Sequence, residues 1–168
     1  MSIDELEAAG MSRMTDEEIR AFLSTQGEGV LGLPAEGGAG DAPYMIPLSF
    51  GYDGESTLYF TFVLGSESRK EALSDRATVA RFLVYNASSP FTWQSVLLTG
   101  RIEVVPDDER DDVETALENA WRPDIFESVE LTRGVEVYRF RAEDLDGVKH
   151  TGIPPGLDGE RDGLEDPD

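Results

Sequence analysis

The sequence predicts a mainly β fold of the α+β kind, with about six strands and two or three short helices set between them. Three observations carry that expectation. Short runs rich in β-branched and aromatic residues recur between residues 30 and 140, with turn residues between them. Two neighbouring runs are joined by Asp53-Gly54, a favoured hairpin dipeptide. One helix start is fully spelled out by its capping residues. Hairpin connections argue against a doubly wound parallel sheet.

Residues 1–13 carry no strong pattern and read as a flexible arm. Thr15 is a natural N-cap, and Glu18 three residues later completes a capping box. Met14 and Ile19 stand where a hydrophobic staple would close, Ile19, Phe22 and Leu23 form an apolar stripe, and Gly27 and Gly29 end the helix. Val30–Leu33 reads as a strand, residues 36–41 as a flexible hairpin loop, and Tyr44–Tyr52 as a second strand. Pro47 inside that strand implies an edge position or a bulge, because proline gives no hydrogen to a ladder. Thr57–Val63 is the third strand. A short helix over Arg69–Ser74 and a strand over Thr78–Tyr85 follow.

Phe91–Val105 reads as a long strand with Val96, Leu98, Gly100, Ile102 and Val104 on one face. At Gly100 a missing side chain would let something approach closely. Pro106 stops it. Asp107–Trp121 reads as an acidic helix with Val113, Leu117 and Trp121 at helical spacing, and Val135–Phe140 closes the strand set. The domain is expected over 14–153, with an acidic, disordered tail over 154–168.

At 168 residues the chain has room for one domain, and folding buries roughly 70% of the extended surface. No cysteine is present, which excludes disulfides, thiolate metal sites and a cysteine nucleophile. The amino terminus lacks the pattern of a signal peptide, and no stretch approaches the roughly 20 apolar residues of a membrane helix. A cytoplasmic protein is expected.

Asp and Glu number 35 against 14 Lys and Arg, a net charge of −21, and only Lys70 and Lys149 are lysines. Such a charge repels itself in dilute buffer, whereas at molar salt the Debye length shrinks to about 3 Å. A halophilic protein is expected; an ordinary acidic protein with a disordered tail also fits. Nucleic acid and anionic membranes are poor partners for so acidic a surface.

Among candidate chemistry, residues 65–71, Gly-Ser-Glu-Ser-Arg-Lys-Glu, follow a strand and open a helix, where free N–H groups favour an anion. Residues 66–86 hold four bases and three acids, a local positive spot. A capped surface helix with two ordinary bases fits the same residues. Pro47 frees backbone that could face a planar ligand, or simply protects an edge strand. Trp93 reads as core, with Gln94 and Ser95 able to reach a polar ring edge. His150, the only histidine, lies beside polar residues and reads as a solvated surface group. No G-x-S-x-G elbow, calcium loop or zinc helix is present, and no metal site is expected.

Taken together, four pieces in order resemble the pyridoxamine 5′-phosphate oxidase-related, FMN-binding split-barrel family, in a haloarchaeal-type member. Residues 43–50, Pro-Tyr-Met-Ile-Pro-Leu-Ser-Phe, resemble its P-x-x-x-P-L strand, and residues 58–62, Leu-Tyr-Phe-Thr-Phe, its next strand, with Thr61 replacing a common histidine. Ser68-Arg69-Lys70 followed by Leu73 resembles the phosphate-binding segment. Residues 95–101, Ser-Val-Leu-Leu-Thr-Gly-Arg, resemble a later SV-x-x-x-G strand.

The resemblance implies a six-stranded split barrel forming a homodimer with FMN at the interface. By that analogy Met45, Pro47, Leu48 and Ser49 line the isoalloxazine, and Tyr59, Phe60 and Thr61 flank it. Ser68, Arg69 and Lys70 hold the phosphate, and Gln94 and Ser95 approach from the partner or the same wall. The family's C-terminal Arg-x-His substrate motif is not reproduced by Val148-Lys149-His150, which argues against vitamin B6 oxidation. The implied activity is an FMN-dependent oxidoreductase with a small-molecule substrate or a donor such as NAD(P)H. The alternatives are a non-catalytic flavin store or sensor, or a split barrel for deazaflavin or haem.

The charge balance generates one expectation of its own. The melting temperature should rise steeply with KCl from low to molar concentration as self-repulsion is screened. A melting temperature independent of KCl over that range contradicts the halophilic reading.

Overall fold

The spacing of apolar residues builds one curled antiparallel sheet. In the computed structural model, which describes residues 2–35, 42–63, 79–110, 113 and 135–152, the elements run α1 (Ile3–Ala8), β1 (Met11–Arg13), α2 (Asp16–Thr25), β2 (Glu28–Leu33), β3 (Tyr44–Ser49), β4 (Gly51–Tyr52), β5 (Thr57–Val63), β6 (Ala80–Ser89), β7 (Thr92–Val104) and β8 (Val135–Thr151). The sheet order is β3-β2-β6-β7-β8-β5-β4, with β1 added against β8. The two ends of that order, β3 and β4, are separated in sequence by Phe50 alone. One stretch of chain therefore pairs with β2 on one side of Phe50 and with β5 on the other, and the sheet closes on itself as a half-barrel.

Alternation decides what fills it. Leu31, Leu33, Ile46, Leu58, Phe60, Phe82, Val84, Val96, Leu98 and Phe140 point inward and are buried, while their neighbours along each strand point out. Phe82 is the hub. Phe50 meets it edge-on with centroids 5.4 Å apart, Phe60 lies 4.9 Å away, and Phe140 packs 6.4 Å beyond Phe60. Burying each such ring is worth about 1.5–3 kcal/mol. The core depends on a missing side chain: a Cβ at Gly29 would lie 2.4 Å from Phe82 Cε1 and 2.6 Å from the Leu83 carbonyl oxygen.

Helix α2 forms as expected. Thr15 Oγ1 accepts from Glu18 N, and the Glu18 carboxylate accepts from Thr15 N at 2.9 Å. Met14 and Ile19 are buried together over β8, where a Cβ at Gly147 would lie 2.9 Å from Met14 Cβ and 2.8 Å from Ile19 Cγ1. Glu18 also pairs with Lys149 of β8, so one carboxylate closes the cap and ties the helix to the sheet. The Lys149 hydrogen bond leads the causes that hold the Glu18 carboxyl below its ordinary range, followed by the Thr15 backbone bond.

Several expectations change. Residues 1–13, expected as a loose arm, carry α1 and β1; Ser2 and Glu5 form a second capping box, and β1 pairs with Val148–His150. The sheet has eight strands rather than six, because β1 is added and residues 44–52 divide at Phe50. Asp53-Gly54 does not make a two-residue turn. Asp53 Oδ1 accepts from Glu55, Ser56 and Thr57 N, with Gly54 at φ +88°, and this holds a wider loop.

Strand β8 runs to Thr151 rather than stopping at Phe140. Its acidic middle is paired to neighbouring arginines, Glu143 to Arg101 at 2.8 Å and Asp146 to Arg13 at 2.7 Å. Ile102 is buried but Val104 is exposed, and Val105 instead packs with Val113 and Val137 in a small separate cluster. What approaches Gly100 is the β8 backbone: at the β7–β8 irregularity a Cβ there would lie 2.0 Å from the Arg141 carbonyl oxygen. Pro47 lies on β3, at the end of the sheet order, as its missing N–H required.

The loop over 36–41, the helix over Arg69–Ser74, residues 111, 112 and 114–121 of the acidic helix and the tail lie outside the described residues, and Asp107–Glu109 form a short 3-10 turn. Among those described, no helix is long and apolar enough to cross a membrane.

Gly29→Ala should destabilise the fold by about 1–3 kcal/mol, because the added methyl displaces Phe82 or β6 backbone. Gly32→Ala on the same strand meets only the Arg81 carbonyl oxygen at 3.7 Å and should stay within about 0.5 kcal/mol. Urea unfolding of both variants in molar KCl checks the contrast, and equal midpoints would contradict the packing described.

Candidate functional site

Two clefts meet on the outside of the barrel at Asn86. The larger, about 600 Å³, runs between Glu28–Val30 of β2, Pro47–Ser49 of β3 and Tyr85–Ala87 of β6. The smaller, about 290 Å³, is walled by Phe22, Thr25 and Gln26 at the end of α2, Asn86 and Ser88 of β6, Thr92–Gln94 of β7, and His150 and Thr151 of β8. Volumes of a few hundred Å³ suit small organic ligands.

Local sequence explains the shape. Val30 faces outward on β2, and Pro47 stands opposite it without an N–H to offer a further strand. Tyr85 is 60% exposed and Met45, two residues before Pro47, is also 60% exposed. Val30 and Leu83 are cross-strand partners on the same outer face. In a chain of net charge −21, Glu28 is the single Asp, Glu, Lys or Arg among the described residues that lines either cleft. The surface around Asn86 is apolar or neutral-polar.

His150 departs from its expected solvated position: it is 4% exposed. Its Nδ1 lies 2.8 Å from the Phe91 carbonyl oxygen and its Nε2 3.1 Å from that of Ala9, and whichever nitrogen bears the proton donates. The rings of Phe91 and Trp93 lie 5.7 and 6.1 Å from it. The pairing of β1 with β8 buries a residue whose polar neighbours in sequence suggested solvent. His150 fastens the amino-terminal segment to the β6–β7 hairpin, and Lys149 beside it is engaged with Glu18.

The structure brings Pro47, Leu48 and Ser49 into the larger cleft and Gln94 into the smaller. Met45 lies on the same strand, and Ser95 is paired with Tyr85. The residues of β5 are elsewhere. Phe60 is fully buried in the core, so only its backbone is on offer. Tyr59 packs on the Val105 cluster, and burial, followed by the charge of Asp53, raises its phenol above the ordinary value. Thr61 is exposed opposite Val137. Ser68, Arg69 and Lys70 lie outside the described residues.

Trp93, expected as core, is only partly buried and walls the smaller cleft. Tyr85 and Asn86 were not anticipated; the available signal was a polar pair ending an otherwise apolar strand. Among the described residues, no cluster of three His, Asp or Glu gathers that could hold a metal ion.

Comparison with known proteins follows the fold. Residues 15–149 match the pyridoxamine 5′-phosphate oxidase family. No curated protein matches the sequence. A FAD-binding protein from Mesorhizobium loti is similar in structure, with a TM-score of 0.67 and 21% identity over 84% of this chain and 99% of that one. A flavocytochrome from Azotobacter vinelandii gives 0.63 at 17% identity over 90% of this chain and 73% of that one. The FAD-binding protein from Mycobacterium smegmatis gives 0.60 at 16% identity, covering 84% of this chain and all (100%) of the other.

Proposed function

The chain belongs to the pyridoxamine 5′-phosphate oxidase family, and we propose that it is an FMN-dependent oxidoreductase whose flavin ring occupies the larger cleft. The observation that carries this reading is a groove in which Glu28 is the one charged side chain among the described lining residues, with Val30, Pro47, Ser49 and Tyr85 beside it, on a strongly acidic protein. An isoalloxazine is planar and largely apolar, and its polar edge needs a few donors and acceptors. Val30, Pro47 and Tyr85 provide apolar contact and Ser49 a hydroxyl, while Leu48 packs on the core and lines the groove from its backbone side. The flavin-binding proteins with this fold support the reading.

Bound FMN supplies the redox chemistry, and the protein binds and orients it. Arg69 and Lys70, with Ser68, supply the phosphate grip. The groove opens to solvent on a single chain, and the exposed Met45 and Tyr85 beside it are unusual on a charged surface. A second copy seated there roofs the flavin, which makes the working form a homodimer. The acidic, lysine-poor composition supports a salt-rich cytoplasm.

Vitamin B6 phosphate is a poor substrate for this site. Lys149 is paired with Glu18, and both nitrogens of His150 face carbonyl oxygens, so neither is turned toward a substrate phosphate.

The double change Arg69→Ala/Lys70→Ala removes two charge-assisted contacts, each worth about 1.5–3 kcal/mol, so FMN affinity should fall roughly a hundredfold or more. Riboflavin lacks the phosphate, and its affinity should stay within about 0.5 kcal/mol of the unmodified protein. Calorimetric titration of both flavins in molar KCl makes the comparison. Unchanged FMN affinity in the double variant contradicts the phosphate assignment, and absence of flavin binding by the unmodified protein contradicts the function.

A further inference from the structure

The larger cleft is where β2 parts from β6. Their ladder pairs Gly32 with Arg81, Leu31 with Phe82 and Val30 with Leu83, and among the described residues it ends there. Strand β6 continues to Ser89 with β7 on its other side. The cleft of about 600 Å³ opens between Glu28–Val30 and Tyr85–Ala87, in the place that a longer β2–β6 ladder would fill.

The direction of the main-chain groups follows from the ladder. A Cβ at Gly29 would lie 2.6 Å from the Leu83 carbonyl oxygen, and one at Gly32 would lie 3.7 Å from that of Arg81, so both oxygens face β2. In an antiparallel strand a residue turns its N–H and its C=O to the same neighbour, and the next residue turns both to the other. The N–H and C=O of Tyr85 and Ala87 therefore point into the cleft, whereas those of Asn86 point to β7, opposite Gln94. These groups lie in the plane of the sheet, between its two faces. A flat ring entering the gap meets them with its edge.

We infer that this edge of β6 binds the imide end of the flavin, the main-chain N–H and C=O of Tyr85 or Ala87 pairing with a ring carbonyl and the ring N3–H. The pairing rests on flavin occupying the cleft, and it adds the orientation. A strand residue offers a donor beside an acceptor, so its partner must offer an acceptor beside a donor. In oxidised FMN the pyrimidine end does this, with N3–H set between two carbonyls. N1 and N5 only accept, and the dimethylbenzene end does neither. A ring turned the other way would bury these main-chain groups and forfeit the bonds they make to water. The pyrimidine end therefore faces β6, and the dimethylbenzene end faces Pro47 and Ser49 of β3.

The probe is 3-methyl-FMN, which carries a methyl group in place of the N3 hydrogen, and the readout is residue-resolved amide hydrogen exchange in molar KCl. Without flavin, the Asn86 amide, held by β7, should exchange roughly tenfold or more slowly than those of Tyr85 and Ala87. Saturating FMN should slow Tyr85 or Ala87 by roughly tenfold or more. In calorimetric titration 3-methyl-FMN should bind about tenfold more weakly than FMN. FMN binding that leaves both amides fast, or equal affinity for the two flavins, overturns the edge assignment and leaves the flavin reading standing. Slow exchange at Tyr85 and Ala87 before flavin is added does the same. Failure of FMN to bind overturns the flavin reading and takes the edge assignment with it.

Discussion

The structure depends on Phe50. It joins β3 to β4, the two ends of the sheet order, and its buried ring meets Phe82 edge-on. Its N–H donates to the Gly27 carbonyl oxygen at 2.9 Å, which anchors the crossing to the chain entering β2. Because one continuous stretch must satisfy β2 before this residue and β5 after it, the sheet cannot remain flat. Closure puts Phe60, Phe82 and Phe140 inside, and it leaves the outer faces of β2, β3 and β6 as the floor of the larger cleft. Gly29 serves the inner side of that wall, where its missing side chain admits Phe82.

Charge is distributed around this frame in a consistent way. Arg139 bridges Glu103 and Glu109 at 2.6 and 2.7 Å, and Arg101 and Arg13 neutralise acids of β8. The Arg13 and Arg101 pairs are largely exposed, so each adds little stability on its own, whereas the Arg139 side chain is mostly covered. They do relieve repulsion where acids crowd a strand. The two clefts instead hold amides, hydroxyls and apolar groups beside Glu28 and the inward-turned His150. A concavity with one carboxylate in so acidic a surface suits a largely apolar planar ligand, because little charge is removed from water when it binds.

Local chemistry was readable where it acts locally. Thr15 with Glu18, the staple of Met14 and Ile19, and the alternation of Thr57–Val63 each specify their element from adjacent residues. Features set by distant pairing were not. His150 is buried because β1 pairs with β8 and Ala9 lies over its ring, and nothing beside it in sequence carries that information. The acidic run after Phe140 shows no strand pattern of its own, and it extends β8 once the arginines of β1 and β7 are brought against it. Ser2 with Glu5 was legible as a capping box, but a six-residue helix has too few apolar positions to show a period. Of the site, the segment containing Pro47 was visible through its proline, while Tyr85 and Asn86 become lining residues only once β2, β3 and β6 are side by side.

The central claim is that the flavin ring lies over β2, β3 and β6. Amide hydrogen exchange with and without FMN, in molar KCl, tests it most directly. The account predicts added protection in the segments 28–30, 48–49 and 85–87, which line the larger cleft. FMN binding with protection confined to β5, and none in those three segments, would contradict it.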